Sequence, residues 1–220
     1  MKKVLRYIIG KTWRPYLKWY LSKPRHYRYD GLDLTVAPGV FHPGFFYSTK
    51  YLLEYLEGFD LKSRSVLELG CGSGLISLAA ARRGARVTAS DVNRTAVHAL
   101  ERNAQANRVD LRVVHADLFE GMPLTGFDYI IINPPYYPRV PRDEGQYAWY
   151  CGERYEYFAR LFATVRGYTH PGTVVIMVLS EHCSVEHLRA LAGQHGIGLE
   201  ERARRQFLIE SNSIYHVTFR

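Results

Sequence analysis

From residue 65 onwards, short apolar runs alternate with stretches of helical periodicity, and this alternation is the feature that most restricts the fold. The runs predicted as strands are 65–69, 86–89, 111–115, 127–132 and 173–179. Several are apolar at nearly every position, which is typical of parallel strands whose two faces are both covered by helices. The helices predicted between them are 75–83, 94–107 and 155–168. The sequence therefore predicts an α/β domain with a mostly parallel sheet.

Further elements are predicted on both sides of this core. They are a short strand at 31–36, a helix at 48–56, a helix at 184–195, and a closing hairpin formed by the runs 199–204 and 214–219. Ser48 suits the N-cap of its helix, because a serine hydroxyl can accept from a free amide of the first turn. A length of 220 residues fits one domain with a sizeable core.

The net charge of +8 is concentrated at the N-terminus. Residues 1–30 carry nine Lys/Arg and one acid, whereas the remaining residues carry twenty of each sign. We therefore divide the chain into a basic, aromatic arm at 1–40, with an amphipathic helix that Pro15 interrupts, and a domain at 41–220. The arm suits a polyanionic neighbour. It could grip RNA through phosphate contacts and stacking, lie on an anionic membrane, or pack on the domain.

Composition excludes several other classes of protein. The three cysteines, Cys71, Cys151 and Cys183, are far apart and form no CxxC pair, so the sequence predicts neither a disulfide framework nor a metal site. No apolar run is long enough to span a bilayer. Basic residues interrupt the N-terminal segment too often for a signal-peptide core. We expect a cytoplasmic protein.

The first core strand runs into a glycine-rich loop, Glu68-Leu69-Gly70-Cys71-Gly72-Ser73-Gly74. Glycine allows the backbone to turn sharply and a ligand to lie against it. A dinucleotide fingerprint would require glycine where Leu75 stands, so the loop departs from the nicotinamide pattern. Glu68 places a negative charge beside the loop, and this charge favours a ligand with cationic groups.

Two further acids follow the next two predicted strands. Asp91 lies 21 positions after Gly70, where a carboxylate can accept hydrogen bonds from both hydroxyls of a ribose. Asp117 ends the third strand. The carboxyl ends of parallel strands meet at one edge of a sheet, so we expect Glu68, Asp91 and Asp117 to lie around one nucleoside-type ligand.

The fourth core strand ends in Asn133-Pro134-Pro135-Tyr136. A conjugated nitrogen is a poor nucleophile, because its lone pair is delocalised. The Asn133 side-chain oxygen and the Pro134 carbonyl could each accept one N–H and so direct the lone pair at an electrophile, and they would also stabilise the positive charge that develops on nitrogen. Tyr136 could stack on the planar group. An ordinary β-turn after a strand would explain Asn133-Pro134 alone.

Together, these two motifs resemble the class I S-adenosylmethionine (SAM) methyltransferases, in the branch that methylates planar amide or aromatic amine nitrogens. The resemblance covers roughly residues 41–219 and implies a Rossmann-like, seven-stranded sheet of order 3-2-1-4-5-7-6. It implies SAM as cofactor, and it implies Asn133, Pro134 and Tyr136 as catalytic residues. The implied cofactor contacts are Glu68, Gly70, Cys71, Gly72, Gly74, Asp91, Val92, Asp117, Leu118 and Asn133, with Asp117 accepting the adenine amine.

The resemblance leaves three functions open. Size and spacing are most similar to the release-factor glutamine methyltransferases, so a glutamine side chain in a translation protein is the leading substrate. The alternatives are an adenine or guanine amine in ribosomal or transfer RNA, and a SAM- or RNA-binding module without turnover. In similar enzymes the segment around Phe41 and Thr49 covers SAM, and the loop 137–153 could close over a substrate or pack on the next helix. We expect His42 to be structural.

Overall fold

The computed structural model describes residues 19–208 and 210–220, and its centre is a seven-stranded sheet. A hairpin of β1 (Arg25–Tyr29) and β2 (Leu32–Val36) precedes that sheet. The sheet contains β3 (Ser65–Leu69), β4 (Arg86–Asp91), β5 (Arg112–His115), β6 (Tyr129–Ile132), β7 (Val174–Ser180), β8 (Ile197–Gln206) and β9 (Ser211–Phe219). Their order is β5-β4-β3-β6-β7-β9-β8, and β9 runs antiparallel to both neighbours. Counted from β3 this is the expected order 3-2-1-4-5-7-6, so the predicted fold class is confirmed.

Within the described residues, five helices cover the two faces of the sheet. They are α1 (Tyr47–Leu56), α2 (Leu75–Arg82), α3 (Arg94–Ala106), α4 (Glu156–Thr164) and α5 (Val185–Gln194), with 3-10 turns at Glu144–Ala148 and Val165–Tyr168. Residues of α1, α2 and α3 share one apolar cluster, and residues of α4 and α5 share another. Successive residues of β6 alternate between these clusters, which is why the strand is apolar throughout. None of the helices in the described residues is long and apolar enough to cross a bilayer.

The structure corrects three details of the predicted elements. Helix α1 begins at Tyr47 with Phe46 as its N-cap residue, so Ser48 is not the N-cap; it lies buried inside the first turn. The helix predicted at 155–168 divides into α4 and a 3-10 turn. Strand β1 has no counterpart among the predicted elements. The amphipathic helix expected in the arm lies largely outside the described residues.

Helix α3 binds the β1–β2 hairpin through two asparagines, one helical turn apart. Asn103 accepts from the Thr35 amide at 2.9 Å and donates to its carbonyl at 3.2 Å. Asn107 makes the same pair of bonds with the Asp33 backbone, at 2.9 and 2.7 Å. The two carboxamides therefore take the place of a neighbouring strand along β2, and the fixed hairpin leads into residues 37–46, which reach the cleft.

Candidate active site

A cleft opens at the carboxyl ends of β3, β4, β5 and β6, and it brings together most of the predicted site residues. Those that line it are Glu68, Gly70, Cys71, Gly72, Asp91, Val92, Asp117, Leu118, Asn133, Pro134 and Tyr136. Gly74 does not line the cleft. It is the N-cap residue of α2, with φ 78°, and a Cβ there would stand 2.2 Å from the Leu100 Cδ1 atom.

The glycine loop is fixed by the strand beside it. The amides of Gly70 and Cys71 both donate to the Ser90 carbonyl at 2.9 Å. Gly70 and Gly72 have φ angles of 72° and 51°, a region that side-chain-bearing residues rarely adopt. The loop therefore presents backbone rather than side chains at these positions, which leaves room for a ligand to lie against it.

Glu68 is a buried carboxyl group under this loop. One of its oxygens accepts from both the amide and the hydroxyl of Ser77, with the amide at 2.8 Å. Burial, with a smaller contribution from the nearby charge of Asp91, raises the pKa of Glu68 to about 8, although the two hydrogen bonds act in the opposite direction. At neutral pH the group is therefore mostly neutral, and a cation in the cleft would favour its ionised form.

Asp91 is held by backbone amides at the end of β4. Its two carboxylate oxygens accept from Gly72 and Asn93, each at 2.8 Å. Each oxygen keeps a lone pair for a further donor. Burial raises the pKa of Asp91 above its ordinary value, although these bonds act in the opposite direction. The carboxylate is therefore oriented before any ligand arrives.

Helix α4 contributes two residues that the sequence did not reveal, one that binds an acid of the cleft and one that lines the cleft. Arg160 donates to Asp117 at 2.9 Å and to Glu120 at 2.7 Å. Tyr157, one turn earlier, lines the cleft. Burial is the main cause that raises the pKa of Tyr157, and the charges of Asp91 and Asp117 raise it further. No motif marks these residues, because only the packing of α4 brings them to the acids.

The Asn133–Tyr136 corner forms the other end of the cleft. The Asn133 Nδ2 atom donates to the Thr49 hydroxyl oxygen at 3.4 Å, and both residues line the cleft. Burial raises the pKa of Tyr136, although a hydrogen bond between its hydroxyl and the Ser180 side chain acts in the opposite direction. Pro134 has no amide hydrogen, so no donor of its own competes at this corner. The corner can therefore offer oxygen acceptors to an incoming N–H group.

The loop after this corner lies over the cleft. Its 3-10 turn, Glu144–Ala148, is capped by Asp143, and the Glu144 carboxylate accepts from the Arg94 amide at 3.2 Å. Trp149 packs on Phe41 and Phe46, with ring centroids 5.3 and 4.8 Å apart. The loop residues Glu144, Tyr147, Ala148 and Trp149 all line the cleft. These four residues therefore form part of the cleft wall, and closure of the loop over a substrate stays a prediction.

His42 does not line the cleft, in agreement with the structural role expected for it. It is 4% exposed, its Nδ1 atom accepts from the Gly44 amide at 3.1 Å, and its ring lies between those of Tyr27 and Phe45. Burial lowers the pKa of His42, so the ring is neutral at physiological pH.

The side chains and backbone that line the cleft fit SAM. Glu68, Asp91 and Asp117 supply negative charge or hydroxyl acceptors, and the glycine loop supplies a close backbone surface. The residues that would hold the cofactor are these acids together with Gly70, Gly72, Val92 and Leu118.

Comparison with known proteins gives a family match over most of the chain. The model of the methyltransferase small domain matches residues 31–195. A proposed protein N5-glutamine methyltransferase of Methanocaldococcus jannaschii is 40% identical over 111 residues, half of this chain. The ribosomal RNA small subunit methyltransferase C of Hahella chejuensis is 36% identical over 137 residues, 60% of this chain. The chain spans 53% of the first relative's length and 39% of the second's.

A solved structure shows the same fold. The T. thermophilus 16S rRNA N2 G1207 methyltransferase, in complex with AdoMet (SAM) and guanosine, aligns with a TM-score of 0.62 at 24% identity. The alignment covers 90% of this chain and 50% of that one.

Proposed function

We propose that this chain, which belongs to the methyltransferase small domain family, is a SAM-dependent N-methyltransferase whose substrate is a planar amide nitrogen, the side chain of a protein glutamine. The observation that carries the proposal is the Asn133–Tyr136 corner at the end of the cleft lined by Glu68, Asp91 and Asp117. The glutamine relative supports this substrate.

The corner acts on the nitrogen through hydrogen bonds. Bound SAM would supply a methyl group on a cationic sulfur, and that sulfur would keep the electron pair of the C–S bond when the methyl group passes to the nitrogen. The Asn133 side-chain oxygen and the Pro134 carbonyl each accept one N–H of the substrate, which turns the nitrogen lone pair towards the methyl group. Both bonds strengthen as positive charge develops on nitrogen. The extra proton then leaves to water, so the chain needs no strong base.

Apolar side chains exposed on α1, on the β8–β9 turn and on the loop that contributes to the cleft wall favour a polypeptide substrate. Tyr47 and Leu208 are exposed on the side of α1 and the β8–β9 turn, and Val140 and Tyr147 are exposed on the loop over the cleft. Residues 31–220 carry equal numbers of basic and acidic side chains. Apolar side chains suit the neighbours of a glutamine in a peptide, whereas a phosphate backbone requires an excess of cations.

An RNA base is the second candidate. The Hahella relative is named for ribosomal RNA, and the T. thermophilus enzyme for a guanine amine. The arm, which we propose at 1–40 ahead of the domain at 41–220 and whose β1–β2 hairpin packs on α3, carries most of the excess basic charge and could contact a polyanion. The complete Asn133–Tyr136 corner disfavours the third alternative, a module without turnover.

The test is transfer of a labelled methyl group from SAM into two pools from cells that lack the enzyme: release factors, and ribosomal plus transfer RNA. We expect label in protein, at glutamine. Asn133→Ala should abolish transfer and leave the Kd for SAM within about twofold, because the acceptor bonds form only with the substrate. Label in RNA instead would overturn the glutamine assignment, and activity that survives in Asn133→Ala would overturn the mechanism.

A further inference from the structure

We propose that Thr49 is a positioning residue that sets the orientation of the Asn133 carboxamide; this inference rests on the proposed function. A carboxamide has an oxygen end and an NH2 end of nearly equal shape. Only the oxygen end can accept an N–H from the substrate, so an amide turned the other way would present a donor to a donor. Something in the cleft must therefore select one orientation.

Thr49 makes a contact that holds the carboxamide in one orientation. Its hydroxyl oxygen lies 3.4 Å from the Asn133 Nδ2 atom and accepts from it, so Nδ2 is turned towards α1. The opposite end of the carboxamide, the oxygen, is then left for the substrate. Thr49 is 4% exposed, so water has little access to replace its hydroxyl.

Both partners of this bond are held independently of each other. Thr49 lies in the first turn of α1, and the preceding Tyr47 stacks on Phe207 of the β8–β9 turn, with centroids 4.5 Å apart and planes 11° apart. Asn133 follows Ile132, which is fully buried in β6, and precedes Pro134. Because neither backbone is free to follow the other, loss of the hydroxyl should release the amide rather than move the site.

The test compares Thr49→Val, which keeps the shape and removes the hydroxyl, with Thr49→Ser, which keeps the hydroxyl. We expect kcat to fall about fivefold in Thr49→Val, the effect of one neutral hydrogen bond, with KM and the Kd for SAM unchanged. Thr49→Ser should restore kcat to within about twofold. Ser48→Ala is the matched control, because Ser48 is equally buried in the same turn but does not line the cleft.

A second readout needs no substrate. In ¹⁵N-labelled protein, the Asn133 side-chain NH2 protons, assigned through Asn133→Ala, should exchange with water faster in Thr49→Val than in wild type, and Thr49→Ser should match wild type. Equal exchange in all three proteins, or unchanged kcat in Thr49→Val, would overturn the inference. If the substrate proves not to be glutamine, the exchange comparison still decides whether Thr49 holds the amide.

Discussion

Glu68 is a buried carboxyl group that forms no ion pair with any cationic side chain in the part of the chain that the structure describes. Its hydrogen-bond partners are the amide and hydroxyl of Ser77, and Asp91 adds a like charge nearby. Because its pKa in the folded protein is about 8, above its ordinary value of 4.5, the folded state holds this proton more tightly than the unfolded state. The resulting stability is complete below pH 4.5 and is lost as the pH rises through 8.

Cofactor binding should reverse this preference at Glu68. A bound cation favours the carboxylate, so SAM binding at pH 7 should release a proton from Glu68. We expect the affinity for SAM to rise by up to about tenfold per pH unit as the pH approaches about 8, and then to level off. Isothermal titration calorimetry in buffers of different ionisation enthalpy measures both the affinity and the proton release.

The control for this prediction is Glu68→Gln, which imitates the protonated group. The amino group of the ligand titrates in the same range, so only the difference between the two proteins reports Glu68. Proton release that is identical in wild type and Glu68→Gln would show that Glu68 does not sense the cofactor.

Single residues also show which contacts could not be predicted from the sequence. The motifs predicted that Glu68, Asp91 and Asn133 would meet at one cleft, because their positions at strand ends follow from the topology. The contacts of Thr49 and Arg160 could not be predicted, since they depend on how two helices pack. The exclusion of Gly74 from the cleft also depends on packing, against Leu100 of α3.

Among the elements, the β1–β2 hairpin is the one whose attachment rests on side chains. The apolar residues Leu32 and Leu34 of β2 are buried, which made this strand predictable. Strand β1 consists of Arg, His and Tyr residues that are alternately half-buried and exposed, and no apolar pattern marks it. Two asparagines four residues apart look like an ordinary polar helix face, so their pairing with β2 could not be predicted either.

Asn103→Ala should loosen the hairpin. It leaves both the amide and the carbonyl of Thr35 without a partner in a partly buried setting, at an expected loss of about 2 kcal/mol in the free energy of unfolding. Urea denaturation measures that loss, and hydrogen exchange should show the Thr35 amide opening faster. Asn103→Asp is the control, because it keeps the acceptor for that amide; equal Thr35 exchange in both variants would contradict the proposed pairing.

On the scale of the whole molecule, the distribution of charge along the chain does not follow the arrangement of the strands and helices. The sheet order could be predicted because strand and helix signals follow one another along the domain and the resemblance fixes their arrangement. The charge follows a different division. Residues 1–18 contain six Lys/Arg and no acid, so they account for most of the net charge of +8. Residues 31–220 carry equal numbers of basic and acidic side chains.

Replacing those six basic residues by Gln lowers the net charge to +2. We expect binding to ribosomal RNA to weaken, and the slope of log affinity against log salt to decrease by about 0.7–0.9 for each phosphate that the arm no longer neutralises. Filter binding over a salt series measures both. The affinity for SAM should stay unchanged. An unaltered salt slope would mean that the arm does not bind the polyanion.

The N-terminus of α3 joins two separate parts of the cleft wall. Asn93 caps the helix and donates to the Gly39 carbonyl at 3.3 Å, while the next amide, of Arg94, binds Glu144. Residues 37–46 and the turn at 144–148 are therefore fastened to the same helix end, so any displacement of that end would move both parts of the cleft wall together.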